Sequence, residues 1–143
     1  MGFEMAKHDI PYVNLPAQGR DQLEDLKRIF EQVVLRGSFV GTHDDLAALE
    51  KRLAEYCGPT EAVALNSGTD ALLLAMKIAG IGEGDEVITP PNSFVASTAT
   101  IIQLGAKPVF ADVLADQNID PAEIAKAITP RTKAIMPVHL TGR

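Results

Sequence analysis

This 143-residue chain has only one cysteine, no long apolar stretch and no net positive charge, and each of these features excludes a class of protein. The single cysteine, Cys57, excludes an internal disulfide and a zinc site built from several cysteines, and a lone thiol is most often a buried or half-buried apolar group. No apolar run approaches the length of a membrane span, and residues 1–9 lack the apolar core of a signal peptide. We therefore expect a protein of the reducing cytoplasm.

The net charge and the composition limit the classes of molecule that the chain is expected to bind. A formal net charge of −6 at pH 7 disfavours binding to nucleic acid or to an anionic membrane through bulk electrostatics. The histidines lack the spacing of metal ligands, so no metal site is expected. Hydrophobic residues at 46% and charged residues at 22% are typical of a globular domain with a real core.

Two amphipathic helices are predicted first, over Asp21–Leu35 and Asp44–Cys57, because apolar residues recur there at helical spacing. Gly37 and Gly58 follow these helices as stop signals. Short apolar strands then alternate with helices: strands over 62–65, 86–89, 107–112 and 133–139, helices over 70–79, 93–104 and 121–128. This alternation predicts an α/β fold with a mostly parallel sheet and flanking helices.

Ligands of such sheets bind beyond the carboxyl ends of the strands. The most informative segment of the sequence, residues 66–72, follows one of these predicted strands. A strand, a small polar turn and a helix N-terminus together favour an anion, because free N–H groups and the helix dipole point at it. Gly68 lets a ligand approach the backbone, and Ser67 and Thr69 offer hydroxyl groups. A helix cap made by Ser67 and Asp70 explains the same residues without a ligand, and from spacing alone it is favoured.

Three other residues follow predicted strands, and each has two interpretations. Phe94 could pack in the core behind a helix cap at Asn92 or Ser93, or it could lie beside the polar turn and stack on a flat cofactor. His139, predicted to end a strand, could be a structural histidine or an acid–base group. Asp112 could simply cap a turn. From the residues alone, the structural interpretation is favoured in each case.

Several segments together resemble one family, the DegT/DnrJ/EryC1/StrS aminotransferases. They are SFVGT at 38–42, NSGTDAL at 66–72, GDEVITPPNSFVAS at 84–97, GAKPVFADV at 105–113, NIDP at 118–121 and TPRTKAIMPVHLTG at 129–142. Their order and spacing are far more specific than any one motif. The resemblance implies an N-terminal extension over residues 1–20. Residues 21–143 would then be an incomplete N-terminal part of an aspartate-aminotransferase-like large domain, fold type I of the pyridoxal-phosphate enzymes.

The family's known properties supply expectations for this chain. Its members use pyridoxal 5′-phosphate to aminate nucleotide-linked keto sugars, usually with glutamate as donor, in amino-sugar and polysaccharide biosynthesis, and they act as homodimers. The resemblance implies that Gly68 and Thr69 bind the cofactor phosphate through N–H and hydroxyl groups, with Ser67 supporting the turn. It also implies that Phe94 stacks on the pyridine ring. His139 lies in a shared motif but receives no firm role.

Two groups that do the family's chemistry have no counterpart here: the lysine that forms the Schiff base with the cofactor and the acidic partner of the pyridine nitrogen. In the family both follow the segment that matches residues 139–142. None of the lysines sits in the required motif: Lys7, Lys27, Lys51, Lys77, Lys107, Lys126 and Lys133. We assign no catalytic residue and expect no transaminase activity from this chain alone. A cofactor-binding or phosphate-binding fragment, a non-functional remnant and a sugar dehydratase relative remain as alternatives.

Overall fold

The computed structural model describes residues 13–37, 39 and 44–142, and the chain divides into two compact units after Ala62. The elements along it are α1 Leu15–Arg36, α2 Asp44–Cys57, α3 Gly68–Ile78, β1 Glu86–Thr89, α4 Ala96–Gln103, β2 Lys107–Phe110, α5 Pro121–Ala127 and β3 Thr132–Ile135. Within this described part, no helix combines the length and the hydropathy that crossing a bilayer requires.

The first helix, α1, begins earlier than the predicted Asp21. Its N-terminus is set by Asn14, whose side chain accepts the N–H of Ala17 at 3.2 Å. Pro16 stands in the first turn, where a missing N–H costs nothing because that group has no acceptor within the helix. The prediction therefore missed a first turn that is specified by a cap rather than by apolar spacing.

The second helix, α2, has the predicted bounds, and both predicted glycine stops are confirmed. Gly37 and Gly58 have φ angles of 67° and 90°, in the left-handed region that glycine adopts without strain. Cys57, the last residue of α2, is exposed. The expectation of a buried or half-buried thiol is wrong, because Ala54 is the buried residue of α2 and the final turn faces solvent.

The second unit is built on a three-stranded parallel sheet in the order β2-β1-β3, which confirms the predicted α/β architecture. Val87 and Ile88 of the central strand are fully buried and point to opposite faces, as successive strand residues must. Val87 packs in one cluster with Met76 of α3 and Ile101 of α4. Ile88 lies in a second cluster, against which Ile124 of α5 packs. Helices therefore cover both faces of β1.

Residues 62–65 form no strand in the described structure, so that prediction is wrong. A strand exists only where a neighbour pairs with it along its length. The described sheet ends at β2 on one side and β3 on the other, and residues 62–65 pair with neither. Val63 is accordingly 76% exposed. The apolar run has β-propensity, but it does not join the described three-stranded sheet.

The strand β3 is shorter at its carboxyl end than the predicted 133–139. Its ladder with β1 finishes where the N–H of Met136 donates to the carbonyl of Ile88 at 2.7 Å. A strand extends only as far as its partner does, and β1 ends at Thr89. His139 therefore lies beyond the strand, and the expectation that it ends the strand is wrong.

The amino edge of the sheet holds a buried carboxylate, that of Glu86, which is 2% exposed. Glu86 accepts hydrogen bonds from Thr129 Oγ1 at 2.6 Å and from Arg131 Nη2 at 2.7 Å, and Lys107 Nζ lies 3.7 Å away. The hydrogen bonds from Thr129 and Arg131, with the charges of Arg131 and Lys107, hold the pKa of the Glu86 carboxyl below its ordinary value, against the opposing effect of burial. The cluster joins the amino end of β1 to β2 and to the segment before β3.

Candidate functional site

The polar turn forms the N-terminus of α3, as the helix-cap interpretation predicted. Ser67 has an extended backbone, and its Oγ accepts the N–H of Asp70 at 3.1 Å. The N–H of Ala71 donates to the carbonyl of Ser67 at 3.1 Å and begins the helical ladder. Within the described residues the Asp70 carboxylate does not accept the Ser67 N–H, so a full capping box is not closed. The cap therefore rests on Ser67.

The cap leaves two donors available at the same turn. The N–H groups of Gly68 and Thr69 have no acceptor among the residues that the structure describes. Both residues are exposed, and nothing lies within 4 Å of the point where a Cβ would stand on Gly68. Free N–H groups at a helix N-terminus, with the Thr69 hydroxyl beside them, suit an anion. The cap and the anion site are therefore compatible, because they use different donors.

Phe94 is 72% exposed, so the interpretation that placed it in the core is wrong. The predicted cap is also wrong, because α4 begins at Ala96 after Val95, and neither Asn92 nor Ser93 caps it. The ring of Phe94 consequently offers an open aromatic face.

The chain order places the polar turn and the loop that carries Phe94 toward the same edge of the sheet, the carboxyl edge. Met76 of α3 packs against Val87, and the chain then turns through residues 79–85 into the amino end of β1. The N-terminus of α3 thus points toward the other edge, where the chain leaves β1 and reaches Phe94. An exposed ring and free N–H donors at one edge of the sheet fit a ligand that carries a flat ring and a phosphate.

Two other predicted candidates contribute less to this site. Asp112 behaves as a turn residue: its Oδ1 accepts the N–H of Val113 at 2.8 Å, and its carbonyl accepts the N–H of Asp120 at 2.8 Å. His139 is exposed, and its carbonyl accepts the N–H of Gly142 at 3.1 Å in a turn. Neither geometry assigns these side chains a chemical role.

Sequence reasoning missed a small hairpin over residues 113–119. Its ends pair in an antiparallel bridge, and its turn is closed by hydrogen bonds of 2.8 Å from the N–H of Gln117 to the carbonyl of Leu114 and from the N–H of Leu114 to the carbonyl of Asn118. Asn92 Nδ2 donates to Gln117 Oε1 at 3.5 Å. The turn-forming residues of this segment signal the turn, but nothing in the sequence indicates its contact with Asn92.

Comparison with known proteins decides the family. The model of the DegT/DnrJ/EryC1/StrS aminotransferase family matches residues 21–143. The chain belongs to this family. It is 42% identical to the spore coat polysaccharide biosynthesis protein SpsC of Bacillus subtilis, over 95% of this chain and 34% of SpsC. It is 38% identical to the UDP-2-acetamido-2-deoxy-3-oxo-D-glucuronate aminotransferase of Pseudomonas aeruginosa, over 94% of this chain and 37% of that enzyme. The chain thus spans about a third of the length of these curated relatives.

The solved structures confirm the fold. NtdA from Bacillus subtilis, with the bound cofactor PMP, superposes with a TM-score of 0.89 at 34% identity, over 98% of this chain and 32% of NtdA. PMP is the amino form of pyridoxal phosphate. The fold is therefore that of the fold type I enzymes, and pyridoxal phosphate is the cofactor of this family. The donors at Gly68 and Thr69 and the exposed ring of Phe94 fit the phosphate and the ring of that cofactor.

Proposed function

We propose that this chain is the N-terminal, phosphate-binding segment of a pyridoxal-phosphate-dependent aminotransferase. The whole enzyme would convert a nucleotide-linked keto sugar to an amino sugar, with glutamate as donor, as a cytoplasmic homodimer. The observation that carries the proposal is the pair of free N–H groups at Gly68 and Thr69, in a family whose cofactor is a phosphate ester. The P. aeruginosa relative, which is named as an aminotransferase of a UDP-linked keto sugar, supports this substrate class over the dehydratase alternative.

The residues of this chain bind and orient the cofactor in the proposal. The N–H groups of Gly68 and Thr69 and the Thr69 hydroxyl donate to the phosphate, while Ser67 keeps the turn in shape through its bond to Asp70. Phe94 supplies an aromatic face for the pyridine ring. When bound, the cofactor supplies an electron sink for negative charge at the carbon that loses its proton.

No lysine of the described residues is proposed as a catalytic base. Lys77 lies in the last turn of α3, at the end opposite the polar turn. Lys107 begins β2 and Lys133 is the second residue of β3, both near the amino edge of the sheet. We therefore propose that this chain by itself binds the cofactor without turning over substrate. A cofactor-binding role without catalysis is the second candidate, and these lysine positions favour it for the isolated chain.

The test is binding of pyridoxine 5′-phosphate, which has the ring and phosphate of the cofactor but no aldehyde that could react with surface lysines. We expect Thr69→Val to weaken binding by about tenfold, because one donor to the phosphate is lost. Thr60→Val, at an exposed threonine of the first unit, is the matched control and should leave binding unchanged. Equal binding by wild type and Thr69→Val would contradict the phosphate role. Transamination of a keto sugar nucleotide by the purified 143-residue chain would contradict the assignment of no catalytic residue.

A further inference from the structure

The loop that presents Phe94, residues 90–95, has few attachments to the rest of the protein. Pro90 is fully buried and fixes its beginning. The ring of Phe94 is exposed, and Ser93 Oγ donates only within the loop, to the carbonyls of Pro90 at 3.5 Å and of Phe94 at 3.4 Å. Among the described residues, the one side-chain hydrogen bond from this loop to a distant segment joins Asn92 Nδ2 to Gln117 Oε1, at 3.5 Å. The carbonyl of Phe94 also accepts the N–H of Ser97 at 3.1 Å, at the start of α4, and the contact from the hairpin over residues 113–119 is a second attachment of this loop.

Gln117 has an unusual backbone for its residue type. Its φ angle is 70°, and it is the one non-glycine residue with a positive φ in the described part of the chain. This position, after the tight turn of a hairpin, is one where glycine or asparagine is strongly preferred. A longer side chain held there against backbone strain points to a use for that side chain.

Several hydrogen bonds hold the backbone of the hairpin around Gln117. Besides the two backbone bonds that close the turn, Asp116 Oδ1 accepts the N–H of Asn118 at 3.0 Å, and Asp116 Oδ2 accepts its side-chain amide at 3.1 Å. The base of the hairpin is closed by the bond from the N–H of Asp120 to the carbonyl of Asp112. These bonds hold the backbone at Gln117, from which its side chain reaches Asn92.

We propose that Gln117 is a positioning residue, which holds Asn92 and thereby fixes the loop that carries Phe94. This inference rests on the proposed function, in which the ring of Phe94 stacks on the cofactor. Gln117 itself touches no reacting group. The contact with Asn92 restricts the 90–95 loop before the cofactor binds, so less conformational entropy is lost on binding.

The test exchanges the lengths of the two side chains. Gln117→Asn keeps an amide and tolerates the left-handed backbone, but it is one methylene shorter and withdraws from Asn92. The double variant Asn92→Gln/Gln117→Asn restores the combined length. Gln18→Asn, at an exposed glutamine of α1, is the matched control. All variants are labelled with 4-fluorophenylalanine, and the resonance of Phe94 among the five phenylalanines is assigned with Phe94→Leu.

We expect Gln117→Asn to shift or broaden the fluorine resonance of Phe94, and the double variant to restore it. Affinity for pyridoxine 5′-phosphate should fall by about threefold to tenfold and recover in the same pattern, whereas a merely structural role for Gln117 would not be rescued by Asn92→Gln. A Phe94 resonance that is the same in wild type and Gln117→Asn would overturn the proposal, as would a shifted resonance without a change in affinity. Failure of wild type to bind the probe would count against the proposed function, while the fluorine spectra still decide whether Gln117 anchors the loop.

Discussion

Ser67 caps α3 and lies beside the free N–H groups of the turn, and one substitution can separate these two properties. Its hydroxyl caps α3 through the N–H of Asp70, and its neighbours Gly68 and Thr69 keep their N–H groups free. A capping side chain can be neutral or negative, whereas a phosphate site tolerates only the neutral one. A substitution at Ser67 can therefore distinguish a cap from an anion site.

We predict that Ser67→Ala lowers the free energy of unfolding by about 1 kcal/mol, because the N–H of Asp70 loses its acceptor. Ser67→Asp should keep most of that stability, since aspartate caps as well as serine does. The aspartate should nevertheless weaken pyridoxine 5′-phosphate binding through repulsion of the phosphate. Urea unfolding and equilibrium dialysis measure the two effects. Full binding by Ser67→Asp would show that the turn is a cap and no more.

At the residue scale the sequence predicted the cap but not the strained glutamine. Ser67 was predictable because capping depends on residue type and spacing within one turn. The exposure of Phe94 was not predictable from the residues, because it depends on where α4 starts after the two prolines. The left-handed backbone of Gln117 contradicts its residue preference, so no local rule indicates it.

Elements were predicted well where the chain itself carries the signal. The bounds of α2 and β1 were right. Predictions failed where an element depends on a partner. Residues 62–65 have no neighbouring strand in the described sheet, and β3 stops where β1 stops. Pairing partners lie far away in sequence, so apolar patterns cannot indicate them.

The Glu86 cluster joins the amino end of β1 to β2 and to the segment before β3. The pKa of the Glu86 carboxyl is lower in the folded chain than in the unfolded one, so its contribution to stability is fully present above the unfolded pKa and is lost as the pH falls through the folded pKa. We predict that stability declines as the pH falls below the ordinary value of 4.5, and that Glu86→Gln is less stable at neutral pH with a weaker decline. Unfolding midpoints measured across this range provide the check.

The matched control for that experiment is Glu83→Gln, at an exposed glutamate in the turn before β1. Its substitution leaves the hydrogen bonds from Thr129 and Arg131 to Glu86 in place. The control should therefore retain the acid sensitivity of wild type. If Glu86→Gln and Glu83→Gln respond to pH alike, the Glu86 cluster is not the source of the decline.

At the scale of the whole molecule, the second unit exposes much apolar surface. A groove between α3 and β3 is lined by Leu72, Ala75, Met76, Ile135 and Pro137, among other residues, and Ile135 is 46% exposed. In the described sheet, β3 pairs with β1 on one side only, so its other edge offers unpaired backbone groups. Apolar surface beside an open strand edge promotes association between chains.

We predict that the purified chain self-associates as its concentration rises, and that Ile135→Lys shifts the population toward monomer, because a charge opposes pairing at that edge. Sedimentation velocity over a concentration series measures the change. Ile78→Lys, at an isoleucine of α3 that is 85% exposed and outside the groove, is the matched control. An equal effect of the two lysines would place the association elsewhere.

The buried Glu86 and the polar turn at Ser67 lie at opposite edges of one sheet, and this separation makes them independent targets for protein engineering. Changes at Thr129, Arg131 or Lys107 would act on the Glu86 cluster without touching the groups that we propose to bind the cofactor. Under the same proposal, changes at Thr69 or Phe94 would alter ligand preference at little risk to the strand connections. Libraries built at the two edges could be screened apart and then combined, since effects at distant sites that share no partners usually add.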